Sequence, residues 1–268
     1  MPVARTDDGV AIAYHTLGTG PRNLVFLHAW GASGSYFDET IECLDPNTVR
    51  AITLDLRGHG DSDKPEIDLT WERLARDVFA VADDAVADTF IAVGHSMGGK
   101  LAQFLPLVDP SRLEALVLVA SPSAGELPIP TFVSEWVGLA GDPQAFIDTT
   151  VTPYLRRPVP EHVLRRFGQD AAKIPRAYLE WTLNLVSSTS FIEQLGSVRT
   201  PVLVVSSERD PVHSTERDIV ASLPNARLEI LDCGPEIPME LPVELAHVIE
   251  KFVAELPLNL PTRAEPTP

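Results

Sequence analysis

The stretch Thr89–Leu105, TFIAVGHSMGGKLAQFL, decides the fold. Its first part, Thr89 to Val93, is a short apolar run of strand character, and its last, Met97 to Leu105, has helical spacing. Between them, Gly94-His95-Ser96-Met97-Gly98-Gly99 sets a serine with a glycine two positions away on either side. A strand that turns directly into a helix at such a serine holds it on a sharp, strained corner. The glycines let neighbouring segments approach closely. The helix start aims unpaired N–H groups and the positive end of its dipole at the same point. The segment therefore reads as a nucleophile elbow with Ser96 as the candidate nucleophile. Pro106 is expected to end or kink the helix after about two turns.

Working outward, further apolar runs read as strands: Val10 to Tyr14, Leu24 to His28, Arg50 to Asp55, Leu113 to Ala120, Val202 to Ser206 and Arg227 to Leu231. Several are continuously apolar, as strands covered on both faces must be. Trp71 to Asp84, Ser214 to Ser222 and Pro242 to Leu256 have helical spacing. This alternation predicts an α/β fold, a mostly parallel sheet flanked by helices, with the first strands forming an antiparallel hairpin at one edge.

One region breaks the rhythm. From Ser121 to about Phe191 there is no strand signal, and Pro122, Pro128, Pro130, Pro143, Pro153, Pro158 and Pro160 cut the chain into short helices. A structureless loop of this length does not suit a compact domain. It reads as an inserted helical cap over the strand ends, where open α/β sheets bind ligands. The expected organisation is a core of residues 1–121 and 192–257, a cap of 122–191, and a disordered tail of 258–268 with three prolines. Most cap aromatics should pack the cap onto the core. Trp136 and Trp181, together with Trp30, are the candidates for the substrate pocket.

Composition excludes several classes. The 268 residues carry a net charge of −17, which argues against nucleic acid or an anionic membrane surface as partner. No run of about 18 apolar residues exists, and Met1 to Asp8 lacks the apolar stretch of a signal peptide. Cys43 and Cys233 fit reduced thiols, so the expected location is cytoplasmic. No cluster of metal-ligand spacing and no phosphate-binding glycine loop is evident, so neither metal nor cofactor is expected.

The motifs around the elbow resemble the α/β-hydrolase family, specifically its small, capped esterase- and lactonase-like members, over roughly residues 8–256. His28-Ala29-Trp30-Gly31 ends one strand, where the family carries His-Gly and the oxyanion residue. Asp55-Leu56-Arg57-Gly58-His59-Gly60-Asp61-Ser62 follows the next, then the elbow and the strand leading to Asp210. The resemblance implies Ser96 as nucleophile, Asp210 as the acid, and the backbone N–H groups of Met97 and Trp30 as the oxyanion hole. Ala29 replaces the usual glycine, which could narrow the approach to that hole.

The departure lies in Cys233-Gly234-Pro235-Glu236-Ile237-Pro238, where Pro235 occupies the position of the family's catalytic histidine. A serine hydroxyl is a poor nucleophile until a base takes its proton, and proline has no ionisable side chain. Of the seven histidines, His15 and His247 are expected far from the site, His95 on the opposite face of its strand, His28 in a structural role and His59 in a surface turn. His213, three residues beyond Asp210, is the tentative surrogate base; His162 on the cap and the carboxylate Glu236 are further alternatives. Glu126 is expected on the cap surface. Three readings follow: a serine hydrolase of small carboxylic esters or lactones with a relocated base, a non-catalytic protein binding a small apolar ligand in the same pocket, and an inactive form of an ordinary hydrolase.

Overall fold

Alternation along each strand sorts side chains to two faces, and in the computed structural model the two faces carry separate cores. The structure describes residues 1–66, 69–127, 135–208 and 216–257. Its strands are β1 (Val3–Arg5), β2 (Ala11–Leu17), β3 (Arg22–Leu27), β4 (Val49–Leu54), β5 (Phe90–His95), β6 (Leu113–Val119), β7 (Val202–Ser207) and β8 (Ala226–Leu231). They form one eight-stranded sheet in the order β1-β2-β4-β3-β5-β6-β7-β8. Every pairing from β4 to β8 is parallel.

The antiparallel edge differs from the sequence expectation. The edge hairpin is β1 with β2, and β2 then pairs antiparallel with β4. The strand read at Leu24 to His28 lies inside the sheet, parallel to both β4 and β5. β1 is only three residues long, too short to show a period of two.

The described α-helices are α1 (Asp38–Ile41), α2 (Trp71–Asp84), α3 (Met97–Val108), α4 (Pro143–Thr150), α5 (Glu161–Ala172), α6 (Arg176–Ser188), α7 (Glu216–Ser222), α8 (Ile237–Glu240) and α9 (Pro242–Glu255), with short 3-10 turns between some of them. One core gathers Val25, Leu27, Ala92, Leu116 and Val204 against Leu74 and Val78 of α2 and Leu101 and Leu105 of α3. The other gathers Phe26, Ile91, Val93, Val117 and Val205 against Leu245 and Ile249 of α9. The alternate partners Ala92 and Val93 fall in different cores, as the pleat requires.

Pro106 does not stop α3 where expected. The helix runs to Val108, with Pro106 in its last turn. So near the C-terminus, the donor that proline lacks costs one bond, and the chain turns out at Asp109.

Between β6 and β7 the described residues hold only helices and turns. This segment packs Val137, Phe146, Phe167, Tyr178 and Leu179 into the second core, on the Phe26 face of the sheet. Leu258 to Pro268, read as a tail, lie outside the described residues.

Candidate active site

The elbow is built by steric necessity. Ser96 has φ +50° and ψ −116°, a left-handed backbone that a β-carbon resists. It sits between β5 and α3, and its N–H donates to the Val119 carbonyl at 3.0 Å. A β-carbon at Gly94 would lie 2.2 Å from the Gly98 carbonyl oxygen, and one at Gly98 would lie 2.1 Å from the Leu27 carbonyl oxygen. Both approaches involve backbone, so no side-chain movement relieves them, and both positions need glycine. Met97 is the first residue of α3, where an N–H has no partner within the helix. The Ser96 side chain is half-buried and has no hydrogen-bond partner among the described residues.

Trp30 follows β3 at the neighbouring strand end. Its indole N–H donates to the Leu179 carbonyl of α6 at 3.0 Å. Its ring stacks on Phe146 at 5.5 Å and meets Trp136 at 6.3 Å. Trp136 in turn meets Tyr154 edge-on at 6.1 Å. The structure thus brings Trp30 and Trp136 together and adds Phe146 and Tyr154, which sequence reasoning had not placed at the site. Trp181 packs instead against Tyr178 at 5.1 Å and makes no ring contact with Trp30 or Trp136 among the described residues. Tyr178 lies against Gly58, and its hydroxyl donates to the Pro65 carbonyl.

The turn carrying Pro235 is held from three directions. His95 Nε2–H donates to the Pro235 carbonyl at 2.9 Å, while its ring stacks on Tyr36 at 4.9 Å. The Tyr36 hydroxyl donates to the Glu236 carboxylate. Burial, then the nearby Glu236 charge, raises the Tyr36 phenol well above its ordinary range. The third tie is Glu240, whose Oε2 accepts the backbone N–H groups of Arg156 and Arg157 at 2.6 and 2.7 Å. Its other oxygen lies so close to Gly234 that a β-carbon there would stand 2.5 Å away. Pro235 is itself buried. Cys233 beside it is buried too, and burial pushes its thiol up to about 12, a poor thiolate former.

The other candidate bases are spread apart. His162 is exposed, 3.9 Å from Glu39, so it does not reach down to Ser96. Glu236 is engaged with Tyr36 as described, and Glu126 is exposed. Asp210 and His213 lie outside the described residues. β7 ends at Ser207, one strand removed from β5 across β6.

His59 departs from expectation. It is fully buried rather than in a surface turn. Gly58 and Gly60 take φ +83° and +46°, which folds the turn back under the strand ends. The Asp55 carboxylate fills the space that a β-carbon at Gly60 would need. Asp55 also accepts the N–H groups of Gly34 and Asp61 at 2.7 and 2.8 Å, tying this turn to the Trp30 loop. His59 packs on His28 with ring centroids 4.9 Å apart. The Leu56 N–H donates to His28 Nε2 at 3.0 Å, and His28 Nδ1–H donates to the Ala29 carbonyl at 2.8 Å. Burial lowers His28 to about 4 and His59 to about 3. Both rings are therefore neutral scaffolding behind the Trp30 loop. Arg57 in the same turn is fully buried and paired with Asp77 at 2.5 Å and Asp8 at 3.0 Å.

A strained serine at a strand-to-helix corner, beside a strand end that carries an aromatic loop, in a mostly parallel sheet with a helical segment between β6 and β7, defines the α/β-hydrolase class of fold. The chain belongs to the Alpha/beta hydrolase family, whose family model matches residues 24–248. It is 26% identical over 250 residues to the non-heme chloroperoxidase CPO-A1 of Kitasatospora aureofaciens, covering 87% of this chain and 90% of that one. It is 27% identical over 254 residues to 3-oxoadipate enol-lactonase 2 of Acinetobacter baylyi, covering 91% and 94%. Among solved structures, Est816, described as an N-acyl homoserine lactone degrading enzyme, matches with a TM-score of 0.78 at 26% identity, over 94% of this chain and 100% of that one. Among the described residues no group of metal-ligating side chains occurs, and no helix is long and apolar enough to cross a membrane.

Proposed function

We propose that this chain is a serine hydrolase of small carboxylic esters or lactones. The observation that carries the reading is the left-handed backbone of Ser96 at the start of α3, a strained geometry that a merely structural serine has no reason to hold. The enol-lactonase and the homoserine-lactone-degrading relative support the lactone class. Ser96 Oγ attacks the carbonyl, and the N–H groups of Met97 and Trp30 hold the resulting oxyanion. Two such fixed donors contribute several kcal/mol, at roughly 3 kcal/mol each, to a tetrahedral transition state. The C–O bond to the alcohol then breaks, and the leaving oxygen takes the proton given up by Ser96. Water releases the acid in a second step. Asp210 is the proposed acid and His213 the proposed base, in place of a histidine at position 235. Residues 122–191 form the proposed cap. Trp30, Trp136 and Trp181, with Phe146 and Tyr154, line the proposed acyl pocket.

Pro235 favours a second reading: a protein that keeps the pocket and binds a small apolar ligand without turnover. The test is labelling by a fluorophosphonate probe, with Ser96→Ala as control. Labelling that depends on Ser96 supports the hydrolase. Absence of labelling, with thermal stabilisation by esters or lactones, supports the binding protein.

A further inference from the structure

Lys100 lies one turn below the nucleophile on α3, and its N–H donates to the Ser96 carbonyl at 3.1 Å. Its side chain is fully buried. The ammonium donates to three backbone carbonyls: Gly125 at 2.7 Å, Val186 at 2.7 Å and Thr189 at 2.9 Å. All three of its donors are thereby used. Gly125 is on the segment leaving β6, while Val186 and Thr189 lie where the chain returns toward β7.

These two segments are also joined directly. Leu127 N–H donates to the Ser187 carbonyl, and Phe191 N–H to the Ala124 carbonyl, both at 3.0 Å. The Trp71 indole N–H donates to Thr189 Oγ1 at 2.7 Å. The rings of Trp71 and Phe191 flank the ammonium, each at 5.9 Å. No carboxylate touches Lys100 among the described residues. Glu126, exposed on the outgoing segment, is the charged group that acts on it from a distance. A buried cation without a contacting anion is costly, but an apolar side chain in its place would leave the Gly125, Val186 and Thr189 carbonyls without this donor. Its return here is that one ammonium ties the nucleophile helix to both roots of the segment between β6 and β7.

We propose that Lys100 is a positioning residue, the clasp that seats the cap in one orientation over Ser96. This rests on the reading of 122–191 as a cap and of Ser96 as the nucleophile. Lys100 touches no reacting atom; it acts through the two hinges. Burial lowers its ammonium to about 8, so opening, which returns the amine to water, takes up a proton and is disfavoured as pH rises through that value.

Hydrogen exchange on the full chain tests this. In Lys100→Met, amides of 122–127 and 185–191 should exchange about tenfold faster, while β5 and β6 keep their protection. Half-maximal fluorophosphonate labelling should need about fivefold more probe, with the limiting rate within about twofold of the unmodified chain. In the unmodified chain, the same segments should open less readily from about pH 7 to about pH 9.5, after correction for intrinsic exchange, because the exposed amine binds a proton that the buried one has released. This arm decides the matter if the variant does not fold. Unchanged exchange in these segments, or a uniform rise across the whole chain, overturns the proposal. If Ser96 never labels, the nucleophile reading fails, and the exchange result still decides Lys100.

Discussion

The buried histidine pair makes a quantitative claim on acid stability. His59 is fully buried and stays neutral down to about 3, against an ordinary value of 6.5. Its neutral ring donates Nδ1–H to the Arg57 carbonyl at 3.1 Å. Below pH 6.5 the unfolded chain takes up a proton at this ring and the folded chain does not. The stabilisation is therefore complete above 6.5 and is lost as pH falls toward 3. At pH 4 the gap from 6.5, at about 1.4 kcal/mol per pH unit, is worth about 3 kcal/mol. His28, held at about 4, contributes in the same direction. Asp38, raised to about 6 mainly by burial, works the other way and gains stability as pH falls. A comparison with His59→Asn removes these common contributions, and the asparagine amide can still donate to the Arg57 carbonyl. Urea unfolding followed by tryptophan fluorescence from pH 7 to pH 4 should show the unmodified chain losing stability relative to the variant. The gap between the two curves should change by about 3 kcal/mol across that range. Parallel curves would refute the buried, neutral assignment of His59.

Two further outcomes follow from the Pro235 turn. Glu240→Ala removes the acceptor for the Arg156 and Arg157 N–H groups; it should cost about 3 kcal/mol in chemical unfolding and speed amide exchange at 155–157 ahead of the sheet. With His213 as the base, Pro235→His should change hydrolysis of a p-nitrophenyl ester by less than about tenfold, while His213→Ala should lower it about a thousandfold or more, since loss of the histidine in other serine enzymes costs up to about a millionfold. A gain of about a thousandfold in Pro235→His would instead show that the site lacks a base.

Much of this architecture was legible in the chain because its signals are local. Apolar runs marked seven strands, and Gly94-x-Ser96-x-Gly98 between a strand and a helix marked the elbow. What stayed hidden depends on contacts distant in sequence or on backbone direction. β1 is too short to carry a period. The inward fold of the His59 turn follows from positive φ at Gly58 and Gly60, which a glycine permits without announcing. Tyr36 and Glu236 meet across 200 residues, and nothing near either predicts the other. Lys100, four residues after Ser96, is indistinguishable in sequence from a solvated lysine on an outer helix.

The central claim is that Ser96 performs acyl transfer. Its most direct test is the intact mass of the protein during incubation with p-nitrophenyl acetate, followed by peptide mapping. The account predicts one acetyl group on the protein, mapped to Ser96 and absent in Ser96→Ala. No adduct, or an adduct that persists in Ser96→Ala, would contradict it.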